Sequence, residues 1–164
     1  MSTIVTRAGK GSALTFVEAD ANFTNLNTGK VEKSGDTMTG ALVATGLTSN
    51  TNGVGYATGA GGTATQLTSK ATGATVSKPS GAITMNAALL AAATTVSFVL
   101  TNTFIAATDV VIVNIKSGGT VGAYTVTVSA VSAGSCTISL RNETAGSLSE
   151  AVVLNFSVIK AVAA

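Results

Sequence analysis

The chain has 164 residues, nine Lys or Arg, seven Asp or Glu, no His and a net charge of +2, enough for one ordinary domain with an appendage. It is 46% hydrophobic but only 4% aromatic and 10% charged, so most of its apolar side chains are small Ala and Val, and its scattered cations form no clustered basic face for nucleic acid. Without His and with one Cys, Cys136, it can build no Ser-His-Asp or Cys-His pair, no zinc site of His and Cys, and no intrachain disulfide framework.

The first residues, MSTIVTRAGKGSALT, hold no apolar stretch of signal-peptide length, so the expectation is synthesis in a cytosol without general secretory export. Residues 1–50 contain eight charged side chains, and residues 51–164 contain the same number over more than twice the length. Between them, residues 46–62 are rich in Gly, Thr, Ser and Asn and read as turns and extended linker. The chain therefore divides into an N-terminal segment, 1–50, and a C-terminal domain, 51–164.

In the N-terminal segment, TFVEADANFTNLN (15–27) predicts a short helix. Thr15 and Glu18 stand in the S/T-x-x-E relation of a capping box, in which each side chain takes a backbone N–H that the helix leaves unpaired. Glu18 and Asp20 lie early in the helix, where its dipole favours negative charge, and Asn27 and Gly29 supply a stop. Phe16, Ala19, Phe23 and Leu26 fall on one narrow stripe. So short a helix is marginal alone in water, so the stripe must dock: on the chain's own following domain, or on symmetry mates or a larger partner. The second is the expectation, because the segment is terminal and a long linker follows.

The C-terminal region alternates with period two. Val96, Phe98 and Leu100 share a face, as do Val111, Val113 and Ile115, then Tyr124, Val126 and Val128, then Cys136, Ile138 and Leu140, then Leu154, Phe156 and Val158. Weaker strands are expected near 65–69, 75–78 and 83–85. About eight strands with no long helical pattern predict a mainly β fold, an antiparallel, jelly-roll-like β-sandwich. NAALLAAAT (86–94) reads as a single helical turn or a connecting loop. The longest apolar-leaning stretch, 82–100, is interrupted by Thr84, Asn86, Thr94, Thr95 and Ser97 and predicts no membrane span.

The search for chemistry is mostly negative. Asp109, Glu143 and Glu150 fall at strand ends or turns and read as solvated surface acids. The GAGG at 59–62 lacks phosphate-loop spacing and reads as turns. Lys70, Lys78 and Lys116 could meet an anionic glycan but read as solubility residues. Cys136 reads as a buried, inert thiol. N-x-S/T triplets stand at Asn22, Asn142 and Asn155, the last within a strand pattern that leaves no room for a glycan. No enzyme activity, cofactor or metal is expected.

TRAGKGSALTFVEADANFTNLN (6–27) resembles a segment found near the N-terminus of many tailed-bacteriophage fibre proteins. The matching positions are Lys10, Gly11, Ser12, Leu14, Thr15, Glu18, Asp20, Asn22, Phe23, Asn25 and Leu26. KSGDTMTGAL (33–42) is similar to the GDTMTG element of phage tail fibres, a strand-like, trimer-forming piece in which Met38 and Leu42 would face inward. From Gly53 onward the chain resembles, in overall texture, a small β domain carried by phage virion proteins. The resemblance implies a non-enzymatic virion protein, made in the bacterial host cytoplasm and placed on the tail or capsid surface. It implies a homotrimer joined through Phe16, Ala19, Phe23 and Leu26, with Met1 to Gly11 engaging other virion proteins. Almost no shaft is present, which points to a short trimeric tail fibre or to a capsid decoration protein. A host surface glycan is a further candidate partner.

Overall fold

The computed structural model describes residues 4–29 and 53–162. The chain divides into two units, Met1–Thr51 and Asn52–Ala164, each described here by itself.

The N-terminal unit carries two helices, α1 (Arg7–Lys10) and α2 (Phe16–Gly29). The α1 turn starts at Thr6, whose hydroxyl accepts from the Gly9 N–H, and ends at Gly11. Gly11 takes φ 73°, a left-handed conformation that closes a helix and that a side chain disfavours. The α2 helix opens as its sequence dictates. The Glu18 N–H donates to the Thr15 hydroxyl at 3.2 Å, and the Thr15 N–H donates to the Glu18 carboxylate at 2.7 Å. Both halves of the capping box are made.

The C-terminal unit is mainly β. Its strands are β1 (Gly61–Thr65), β2 (Ala74–Thr75), β3 (Ser80–Thr84), β4 (Thr95–Thr101), β5 (Val110–Ser117), β6 (Tyr124–Ser132), β7 (Ser135–Asn142) and β8 (Val153–Ile159). They form two four-stranded sheets, ordered β1-β3-β8-β5 and β2-β4-β7-β6. Both sheets contribute to one buried cluster, with Phe98, Leu100, Ile138 and Leu140 from one and Ile83, Leu154, Phe156 and Val158 from the other. Each long strand presents alternate residues to this core, so the five strongly periodic strands lie where their pattern puts them.

The expected all-antiparallel pairing needs correction. β1 runs parallel to β3 and β2 runs parallel to β4, so both sheets are mixed. Their outer members, β1 and β2, are sheet-edge strands built only from Gly, Ala and Thr, which is why their boundaries shift from those expected. The 86–94 segment is a connecting loop, anchored where Leu90 and Leu148 form an antiparallel bridge.

Gly81 on β3 permits a close approach. A Cβ there would lie 2.5 Å from the Gly62 carbonyl oxygen and 2.8 Å from the Phe156 ring, so the ring fills the space a side chain would take.

Candidate functional site

The residues of the N-terminal pattern form a connected network. The Lys10 ammonium pairs with the Glu18 carboxylate, which also accepts from the Thr15 N–H and hydroxyl. These contacts, led by the Lys10 hydrogen bond and followed by those from Thr15, hold the Glu18 pKa down at about 2. One turn further along, the Asn22 amide group donates to the Val5 carbonyl and accepts from the Val5 N–H, each at 2.8 Å. The polar side of α2 is thereby committed to residues 5–15.

Phe16 and Phe23 lie on the other side. At about 100° per residue, seven positions bring them to within roughly 20° of each other around the helix axis. Phe16 is 91% exposed and Phe23 74%. Ala19, between them, is half-buried. Leu26 lies in the same helix, within the span for which only the backbone is described. Met38 and Leu42 lie outside the described residues.

The C-terminal unit changes the reading of several polar residues. Lys70 is 3% exposed and is no solubility residue. Its ammonium donates to the Asn86 carbonyl at 2.6 Å and to that of Glu150, joining three loops, and burial lowers its pKa. Asp109 is 5% exposed and is no solvated surface acid. It accepts from the Ala106 N–H at 2.7 Å and from Lys160 at 2.5 Å, and those contacts lower its pKa. Glu150 accepts from the Thr120 hydroxyl at 2.7 Å, and Glu143 pairs with Arg141 at 2.9 Å.

Asn142 is fully buried at the end of β7. Its amide nitrogen reaches the carbonyls of Leu90, Ala91 and Gly146 at 2.8–3.2 Å, and its oxygen accepts from Thr144. Cys136 lies in the core, where burial pushes its thiol up to about 11. The hydroxyl of Tyr124 is buried and lacks a partner in bonding geometry. Burial first, and the adjacent Glu150 carboxylate second, push the phenol up to about 12.

Among the described residues no group of three or more His, Cys, Asp and Glu is placed to hold a metal ion, and no helix is long and apolar enough to cross a membrane. Buried Lys70 and Asp109 are tied to backbone groups, and Asp109 also to Lys160, an arrangement that fixes loops. The aromatic pair on α2 is the arrangement that presents groups outward.

No family model, curated protein or solved structure matches the chain.

Proposed function

We propose that this chain is a non-enzymatic structural protein of a bacteriophage virion: a short homotrimeric tail fibre, anchored through its N-terminal unit and carrying the β domain as an outward head. The carrying observation is the exposure of Phe16 and Phe23 on a helix whose polar side is already bonded to residues of its own unit. A helix with one side so fixed and two neighbouring aromatic rings in solvent gains stability by docking those rings. Three copies meeting through Phe16, Ala19, Phe23 and Leu26 bury that stripe, and the resemblance of residues 6–27 to phage fibre segments supports the same use. The head is jelly-roll-like in strand number, with two four-stranded sheets and a parallel pair in each as the departure. The second reading, a capsid decoration protein of the same architecture, differs only in location.

Light scattering on the full-length protein tests the assembly. The expected mass is three times the 16.0 kDa of one chain, and a monomer at micromolar concentration overturns the trimer. Antibody-labelled electron microscopy of particles then separates tail from capsid.

A further inference from the structure

The outward face of the β1-β3-β8-β5 sheet is hollowed. The hollow measures about 570 Å³ and is lined from all four strands. Its shape follows from side-chain size: Gly61, Ser80 and Ala82 make a low floor on β1 and β3, while Ile112, Asn114 and Lys116 rise along β5. Register sets its chemistry. On the central strand β8, Asn155 lies between Ala82 and Asn114, and Ser157 lies between Ser80 and Ile112.

Three observations single this hollow out. The Asn155 amide and the Ser80, Ser157 and Thr63 hydroxyls make no hydrogen bond among the described residues, although Asn155, Ser80 and Ser157 are half-buried. Half-buried groups without an internal partner are left to bond water or a bound molecule. Next, the β5–β8 register shifts between Ile115 and Ser117, so Lys116 is the extra residue of a bulge, a device that re-aims a side chain. Last, Lys116 forms no ion pair or hydrogen bond among the described residues, in contrast to Lys70 and Lys160. No carboxylate lines the hollow.

From this geometry we propose that the hollow is a binding site for a short acidic saccharide, with Lys116 meeting the carboxylate and Asn155, Asn114, Ser80 and Ser157 meeting ring hydroxyls. A volume of this order suits one or two sugar rings. Amides and hydroxyls donate and accept together, as a sugar hydroxyl requires. A lone ammonium with no acid beside it gives the site its charge preference. The inference stands on the hollow alone and holds whether or not the chain assembles through α2.

The test is an NMR titration of the full-length protein with digalacturonate and, separately, with the neutral disaccharide lactose. Digalacturonate is expected to shift the Asn155 and Asn114 side-chain amide signals and to bind about tenfold more tightly than lactose, the scale of one charge-assisted hydrogen bond. Lys116→Gln, an exposed substitution that leaves the core intact, is expected to remove that preference. Absence of shifts with both sugars at millimolar concentration overturns the proposal. So does equal affinity for the two, or a preference that survives Lys116→Gln. If Lys116→Gln or Asn155→Ala changes the mass by light scattering, the hollow is a contact between copies of this chain and the saccharide assignment fails.

Discussion

The side chain of Asn22 pairs with both the N–H and the C=O of Val5, at 2.8 Å each, so one amide substitutes for a neighbouring strand and fastens an extended segment to a helix. With Lys10 and Thr15 on Glu18, this means that most polar positions of the N-terminal pattern maintain the unit's own shape. What they leave outward includes the rings of Phe16 and Phe23.

Glu18 should titrate far below an ordinary carboxylate. Its folded pKa of about 2 is depressed from the ordinary glutamate value of 4.5. The contribution of its contacts is therefore fully present above 4.5 and is lost as pH falls through about 2. NMR observation of its side-chain carboxyl should give a midpoint near 2 that moves upward in Lys10→Gln. A midpoint near 4.5 in the unmodified protein would show that the Lys10–Glu18–Thr15 network does not form.

The two aromatic classes should separate by assay. Phe98 is 3% exposed, and Phe98→Ala is expected to destabilise the β domain by about 3–5 kcal/mol in urea unfolding. Phe23→Ala should leave that transition unchanged while reducing the mass seen by light scattering. Loss of β-domain stability in Phe23→Ala would assign the helix to intrachain packing.

Two asparagines should differ sharply. Asn142→Ala strands several buried carbonyls and the Thr144 groups, and should lower stability by about 3 kcal/mol. Asn155→Ala removes an outward amide with no internal partner and should stay within about 0.5 kcal/mol. Equal losses in urea would contradict the hydrogen-bond assignment.

High pH should weaken the β domain. Cys136 and Tyr124 have folded pKa values pushed up to about 11 and about 12, against ordinary values of 9.0 and 10.0. Both favour the folded state fully below those ordinary values, and that contribution is lost as pH rises through about 11 and about 12. Lys70 acts oppositely, because its lowered pKa makes the unfolded chain hold the proton longer as pH approaches 10.5. The net expectation is a falling thermal midpoint above about pH 9, less steep in Cys136→Ala relative to that variant's own neutral-pH midpoint.

Local rules account for what could be read beforehand. The Thr15–Glu18 box is an i,i+3 relation, and the strands carrying Phe98, Ile138 and Phe156 declare their inner face by alternation. The remainder depends on partners distant in sequence. Lys70 reaches carbonyls 16 and 80 residues away, and Asn22 reaches a peptide 17 residues away. No periodicity reports such pairs, so Lys70 and Asp109 looked like surface charges. The hollow was hidden for a related reason, since Asn155 meets Asn114 and Ala82 only through the register of three strands. β1 and β2 carry little apolar signal because parallel pairing at an edge needs backbone more than side chains.

The flanks of the β domain are unequal. One flank ends in β1 and β2, of five and two residues, and the other in β5 and β6, of eight and nine. Open strand edges invite other chains, and the invitation grows with length. A sheet with one long edge can join a second copy edge to edge, after which each sheet has used its sticky side, and each sheet here has one such edge, β5 or β6. Such pairing terminates itself, whereas two long edges would permit endless ribbons. Unequal flanks are thus a safeguard against the growth of this domain into fibrous aggregates.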